Sequence, residues 1–413
     1  MLRYCRYIAS NRLLYAIFAL VIATTLTLGT SQSYAKSKDK KPSKGEAKIA
    51  LRSAKLYIKQ NLLNKALKQL EISVTGDPEN EEARFLLGQV YAKKGMYQEM
   101  NQAFERALEL KPKKHRKEIK KLREIHWVKH YNDGVRFIQG GKFGKATEKF
   151  ERATLVDTTE ADGFNMLGLA YLKTERTDGA VQAYQRATQL DPNHLESRVN
   201  LAIIYYNGHQ FDQAGKWFKA ASDLTPENVD LLRNLALAHE YAGEIDSALA
   251  VCNRAIELDP EHQELRSYTG HLYFDKKQYE EAVEHFEKIL EMAPDDKEGI
   301  FNLALCYTRL EQLDKATALA KRAVEASPED GDAWYQLGHI YTQNADALAA
   351  QGDTLGALTK VDSAIVVFKK ALALKPDSQR GWEALSIAYA RRDMPTESKV
   401  AFEKAQNLSE VGK

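Results

Sequence analysis

Cysteine is scarce in this sequence of 413 residues, which contains only Cys5, Cys252 and Cys306. Cys252 and Cys306 fall in helical segments that are not neighbours, whereas a disulfide requires Cα atoms within about 7 Å. A disulfide framework is therefore not expected. We interpret both residues as small, buried apolar side chains.

Signatures of catalysis and metal binding are also lacking. The sequence has no Gly-rich phosphate loop and no nucleophile elbow. His126 and His130 have a spacing at which two imidazoles could share a metal ion. The residues between them are Trp, Val and Lys, so the Glu of a metalloprotease helix is missing. We predict no catalytic centre, no metal site and no cofactor, and we interpret His130 as a packing residue.

The first 35 residues have the layout of a secretory signal. Three arginines precede a weakly polar to apolar run at residues 13–29, and Ser33-Tyr34-Ala35 places small residues where a signal peptidase reads. This layout predicts export, with the mature protein in the periplasm. The alternative is an uncleaved membrane anchor at residues 13–29, because this run is just long enough to span a bilayer.

Charge is distributed unevenly along the chain. Residues 36–46 are rich in lysine and too polar to fold, so a flexible basic linker is predicted. Residues 1–126 carry a net charge of +14, and because the whole chain carries only +2, residues 127–413 carry −12. The basic N-terminal third could contact anionic lipid headgroups. A solvated surface without a partner explains the same charges.

A 34-residue pattern recurs ten times after residue 46. Its clearest marks are prolines at a regular spacing, each with a tyrosine about twenty residues before it in most repeats. The prolines are Pro78, Pro112, Pro192, Pro226, Pro260, Pro294, Pro328 and Pro376. A fixed period of this kind indicates a solenoid, in which each repeat buries its apolar faces by stacking on its neighbours.

Residues 161–194 illustrate how one repeat is expected to fold. Leu167 and Tyr171 recur at helical spacing, and Gly168 allows a second helix to approach closely. A turn is predicted at residues 177–179. Proline cannot continue a helix, so the second helix should end before Pro192.

The layout resembles the tetratricopeptide repeat, whose pattern is W-x2-L-G-x2-Y, then A-x3-F, then P. The first part is matched by Trp334, Leu337, Gly338 and Tyr341, and by Trp382, Leu385 and Tyr389. The second part is matched by Ala146 with Phe150, Ala214 with Phe218 and Ala282 with Phe286. The resemblance implies an all-α fold, a right-handed superhelical solenoid of antiparallel helix pairs. It also implies protein binding without naming a partner.

Two interruptions of the period define the predicted layout. Two repeats occupy residues 47–112, a basic connecting helix follows at 113–126, and eight further repeats occupy 127–410. We interpret the connecting helix as solvated and predict no nucleic-acid binding, because no aromatic residue is interleaved with its charges. The ninth repeat is 14 residues longer than the others, close to four helical turns, and predicts a long hairpin around residues 344–363.

In this family the first helices of successive repeats line a concave groove, which supplies the candidate binding residues. The sixth position carries an amide in five repeats, at Asn132, Asn200, Asn234, Asn302 and Gln336. Amides can grip the backbone of an extended peptide. Nearby aromatic residues are Tyr206, Tyr241, Tyr268, Phe301 and Tyr335. The alternative is that these residues only bridge neighbouring helices.

Some family members bind a chaperone's C-terminal carboxylate through a lysine on these helices. The corresponding positions here are Asn165, Val199 and Ser267, so that binding mode is not predicted. The sequence favours a non-catalytic scaffold that binds an extended polypeptide during cell-envelope assembly or secretion. The alternative is an accessory protein of polysaccharide export, whose aromatic residues stack on sugars. An enzyme is disfavoured because no residues remain outside the repeats for a catalytic domain.

Overall fold

The computed structural model describes residues 41–411, with side chains described as far as residue 409. Within this range it contains twenty α-helices and no β-strand, which confirms the predicted all-α fold. The predicted signal segment or anchor lies outside the described residues. No helix between residues 41 and 411 has both the length and the apolar character needed to cross a membrane.

The chain divides into two compact units between Arg123 and Glu124. The N-terminal unit, described from residue 41, contains helices α1 (Lys44–Lys59), α2 (Leu63–Gly76), α3 (Glu81–Lys94) and α4 (Tyr97–Leu110). The division falls within helix α5 (Arg116–Gln139). The C-terminal unit continues with α6 (Phe143–Val156), α7 (Ala161–Lys173), α8 (Thr177–Leu190), α9 (Leu195–Asn207), α10 (Phe211–Ser222), α11 (Val229–Tyr241) and α12 (Ile245–Leu258). It ends with α13 (Gln263–Asp275), α14 (Tyr279–Met292), α15 (Lys297–Arg309), α16 (Leu313–Ala326), α17 (Gly331–Ala350), α18 (Thr354–Leu374), α19 (Gln379–Arg391) and α20 (Pro395–Val411).

Helices within each unit pack mainly on their neighbours in sequence. In the C-terminal unit this holds for every consecutive pair from α6 to α20, which is the contact pattern of a solenoid of helix pairs. Cys252 and Cys306 are buried and free, as the sequence predicted.

The ends of the helices follow from local backbone chemistry. Most first helices begin after a side chain that accepts a backbone N–H, namely Asn80, His194, Asn228, His262, Asp296, Asp330 or Ser378. Each repeat also has one residue with positive φ in the turn between its two helices. These are Asn61, Gly95, Gly141, Glu175, His209, Gly243, Lys277, Glu311, Gly352 and Asp393. The turn predicted at 177–179 is therefore wrong by three residues, because α8 already begins at Thr177.

A glycine on the first helix faces an aromatic ring on the second helix in several repeats. A Cβ added at Gly270 would lie 2.8 Å from Phe286, and one added at Gly88 would lie 2.4 Å from Phe104. These rings are among the largest fully buried side chains. The small residue predicted to allow close helix approach therefore makes room for a specific ring.

Three predicted boundaries differ from the structure. Helix α1 begins at Lys44, not after residue 46, because Ser43 and Glu46 form a capping box that satisfies the first backbone N–H groups. The connecting helix predicted at 113–126 is not separate, since α5 starts at Arg116 and continues through the first helix of the next repeat. The long hairpin extends beyond 344–363, because its two helices, α17 and α18, have 20 and 21 residues.

Candidate functional site

The first helices of the C-terminal unit carry a carboxylate at their second residue in six successive repeats. We call this set the acidic row, and it consists of Asp162, Glu196, Asp230, Glu264, Glu298 and Asp332. Their side chains are 65–81% exposed. A carboxylate in the first turn stabilises the helix dipole, so each member also has a local role. The members recur every 34 residues in the sequence, but none of them was among the predicted binding residues.

In two places, one Arg or His side chain lies between neighbouring members of the acidic row. Arg233 lies 3.6 Å from Asp230 on its own helix and 3.5 Å from Glu264 on the next first helix. His194 lies 3.2 Å from Asp162 and 3.6 Å from Glu196. One side chain thus lies between two neighbouring members of the row at Asp162 and Glu196 and at Asp230 and Glu264.

The five predicted amides do not share one environment. Asn132 is exposed, whereas Asn200, Asn234 and Gln336 are half-buried. Asn302 is only 7% exposed. Its Nδ2 lies 3.3 Å from Nε2 of His271 on the preceding first helix, a hydrogen bond in the tautomer whose Nε2 accepts. Asn302 thus bridges neighbouring helices, which is the alternative interpretation of these amides.

Two predicted aromatic residues, Tyr206 and Tyr241, form a cluster with a ring that sequence reasoning did not single out. The centroids of Tyr206 and Tyr241 are 5.7 Å apart, and Phe211 stacks on Tyr241 at 5.1 Å. Tyr241 remains 58% exposed. Phe211 was not predicted, because it begins the second helix of its repeat and the candidates were predicted only on first helices.

Two other predicted aromatic residues make structural contacts. The Tyr268 hydroxyl donates to Glu240 Oε2 at 2.8 Å. Burial is the main cause that raises the pKa of Tyr268, and the neighbouring Glu240 carboxylate raises it further. Tyr335 packs against Phe368, with ring centroids 5.8 Å apart, and burial raises its pKa. Both rings are half-buried, so they present less surface to a partner than Tyr241 does.

The remaining two predicted residues, Phe301 and Gln336, line a cavity of about 220 Å³. The cavity lies between first helices α15 and α17 and second helix α16. Its walls include Leu305, Ala320 and Ile340. Phe301 is 38% exposed, which places it at the rim. Both residues were predicted to face the groove, whereas the cavity itself was not predicted.

The histidines do not assemble a metal site. Between residues 41 and 411 no group of three or more His, Cys, Asp or Glu side chains could hold a metal ion. His130 is buried, and burial lowers its pKa to about 4, so its imidazole is neutral at pH 7. His339, beside the cavity, also has its pKa lowered by burial. The chemistry available on this surface is thus carboxylates, amides and exposed aromatic rings.

Comparison with known proteins identifies the repeats. Among curated proteins, none matches this sequence. Solved structures that are similar include YrrB, described as a TPR protein with an unusual peptide-binding site (25% identity, 46% of this chain and 91% of that one, TM-score 0.36). MamA from Desulfovibrio magneticus RS-1 is also similar, with 21% identity over 45% of this chain and 96% of that one and a TM-score of 0.37. The C-terminal part of a TPR repeat-containing protein from Cytophaga hutchinsonii has 16% identity over 62% of this chain and 99% of that one, with a TM-score of 0.48.

Tetratricopeptide repeat families match most of the chain beyond residue 80. The matched ranges are 81–114, 131–195, 171–236, 241–299, 273–338 and 345–378. Together they cover more than half of the sequence. This agrees with the helix pairs of the structure and with the register of the prolines. The chain therefore belongs to the tetratricopeptide repeat family.

Proposed function

We propose that this protein is a non-catalytic scaffold that binds an extended, basic polypeptide along the first helices of its C-terminal unit. The observation that carries the proposal is the acidic row, whose members recur in six successive repeats and are strongly exposed. Opposite charge steers a basic partner to this surface and sets its register. The half-buried amides Asn200 and Asn234 then supply hydrogen bonds to a backbone, independently of its sequence.

A displayed library of random twelve-residue peptides tests the proposal without a known partner. The wild-type protein should enrich peptides rich in Lys and Arg, and their binding should weaken as salt is raised. The double variant Glu196→Gln with Glu264→Gln should lower affinity for an enriched peptide about three- to tenfold, because two exposed attractions are lost.

The matched control removes two exposed glutamates from second helices, Glu257→Gln with Glu284→Gln. It changes the net charge by the same amount and should leave affinity nearly unchanged. An equal loss in both double variants would mean that only net charge matters. Enrichment of acidic peptides, or of none, would refute the proposal.

The amides provide a second test on the same peptide. Asn200→Ala and Asn234→Ala should each weaken binding by about 0.5–1.5 kcal/mol per lost hydrogen bond, with little change in thermal stability. Asn302→Ala should instead lower stability, because its amide is buried against His271. Unchanged affinity in the first two variants would assign those amides to packing.

We also propose that the scaffold acts outside the cytoplasmic membrane, in envelope assembly or secretion. Support comes from the N-terminal sequence alone, with its apolar run at 13–29 and the small residues ending at Ala35. N-terminal sequencing of the purified protein should find Lys36 first. An intact Met1 in the membrane fraction would indicate an anchor instead.

One observation favours the alternative of a carbohydrate partner. Tyr241 is 58% exposed and is held by stacking on Phe211, so it presents a rigid aromatic face on which a sugar could stack. A glycan array distinguishes the two functions. Glycan binding that disappears in Tyr241→Ala, together with no peptide enrichment, would favour polysaccharide export.

A further inference from the structure

The repeat that starts at residue 297 lacks the aromatic ring found on the second helix of most other repeats. At the corresponding position six repeats have a buried ring, namely Phe104, Phe150, Tyr184, Phe218, Phe286 or Phe368. Thirty-four residues after Phe286 the chain has Ala320. The facing residue on the first helix is also an alanine, Ala304, so neither helix supplies a ring.

The cavity beside Phe301 and Gln336 lies next to the position of the missing ring. Ala304 and Ala320 both line it, together with Leu305 and Ile340. Its volume of about 220 Å³ is several times the roughly 30 Å³ that a water molecule occupies in the liquid. Its walls are mainly apolar, so they hold water poorly and favour an apolar group.

The charges around the cavity indicate which residue lies next to the apolar group in the partner. Glu298 and Asp332, two members of the acidic row, are in its lining, together with Asp330. Lys297 is the one cationic side chain among the lining residues, and Asp332 is paired with Lys375, which directly follows α18. The unbalanced carboxylates favour a Lys or Arg next to the apolar side chain, and they disfavour an acidic partner.

We propose that this cavity is the specificity pocket of the scaffold and takes one bulky apolar side chain, such as Phe, Leu or Met, from a basic peptide. The inference rests on the proposed function and deepens it. The acidic row holds the peptide by charge, and the pocket selects one side chain by shape and burial. Burying a side chain of this size strengthens binding about ten- to a hundredfold relative to alanine at that peptide position.

Ala320→Phe is the decisive variant, because it restores the ring that the other repeats contain. The alanine at 304 does not prevent this, since Ala202 and Phe218 are packed together in another repeat. From the peptide library the wild type should enrich sequences with a bulky apolar residue beside Lys or Arg. Ala320→Phe should lose the apolar preference and bind the best peptide at least tenfold more weakly, while still enriching basic residues.

Controls separate pocket filling from damage to the fold. Val366→Phe adds the same ring at a position on α18 that is 66% exposed and should select the same peptides as the wild type. The melting temperature of Ala320→Phe should equal or exceed that of the wild type, because the new ring fills a cavity. If that variant unfolds, Ala320→Leu fills part of the space and should show a smaller loss of the same preference.

The outcomes also distinguish this inference from the proposed function. Basic peptides without a bulky apolar residue, or an apolar preference that persists in folded Ala320→Phe, would overturn the pocket and leave the scaffold proposal standing. No enrichment by the wild type would overturn both. Loss of the preference in Ala320→Phe, with Val366→Phe unaffected, would establish the pocket.

Discussion

At the scale of single residues, the contact between Gly270 and Phe286 shows how little space the helix crossing leaves. A Cβ at residue 270 would lie 2.8 Å from the ring of Phe286, which is 1% exposed. The ring packs in the core that α14 shares with α15 and α16. A side chain at 270 therefore requires the ring or the helices to shift.

We expect Gly270→Leu to lower the free energy of unfolding by about 1–3 kcal/mol, because it overpacks this crossing. Urea titration followed by circular dichroism measures the change. The matched control is Gly144→Ala on α6, where an added Cβ meets no atom within 4 Å. That variant should be neutral or more stable by up to about 1 kcal/mol. If Gly270→Leu were neutral too, the assigned register would be wrong.

His285 predicts a dependence of stability on pH. Burial, with Arg266 nearby, lowers its pKa to about 4 from an ordinary value of 6.5, so the folded state resists protonation. As pH falls from 6.5 towards 4, the unfolded chain binds the proton first. The contribution of neutral His285 to the free energy of unfolding is therefore fully present above pH 6.5, and it decreases as the pH falls from 6.5 towards 4.

The contribution of His285 is measurable as a difference between two pH values. Between pH 7 and pH 5 the wild type should lose about 1–2 kcal/mol more stability than His285→Phe, which keeps an aromatic ring beside Tyr273. Urea titrations at both pH values give the comparison. Parallel losses in the two proteins would show that other groups cause the acid sensitivity.

At the scale of elements, the long hairpin of α17 and α18 is a regular repeat with added turns. Residues 344–350 and 354–360 can be removed while the turn at Gln351–Asp353 is kept. This deletion returns Ala364 and Phe368 to the positions that Ala282 and Phe286 occupy in their repeat. Both helices lose about two turns, so their buried faces stay in register.

We expect the shortened protein to fold with undiminished cooperativity and a melting temperature lower by a few degrees. Its stability falls because the deletion removes the Asp346–Arg391 ion pair and the hydrogen bond from Asn344 to Thr317. Differential scanning calorimetry and helical circular dichroism provide the measurements. Loss of a cooperative transition would show that the extension is needed for folding. Unchanged peptide selection would show that the added turns of the hairpin do not contribute to peptide binding.

At the scale of the whole molecule, the division at residue 123 predicts that a destabilising substitution in one unit affects mainly that unit. In repeat arrays stability comes from coupling between nearest neighbours. Gly88→Leu should overpack the crossing with Phe104 and increase hydrogen exchange in α1 to α4. Helices α11 to α20 should keep the protection of the wild type. Hydrogen exchange with mass spectrometry measures both regions, and faster exchange throughout the C-terminal unit would show that the array unfolds as one.

Short-range sequence patterns specify the helix pairs and their stacking, so the sequence alone determined this part of the fold. The prolines, the glycine positions such as 168 and 270, and the apolar spacing within each repeat act locally, and their period requires stacking. Helix pairs and the burial of Cys252 and Cys306 could thus be predicted. The candidate residues Phe301 and Gln336 were found by the same positional reasoning.

What only the tertiary structure decided depends on contacts between repeats. Asn132 and Asn302 have the same repeat position, yet Asn132 is exposed and Asn302 is buried beside His271 of the preceding first helix. The alanine at 320 is a visible departure from the pattern. Its meaning required the structure, because a missing ring becomes a cavity only when the surrounding helices do not close over it.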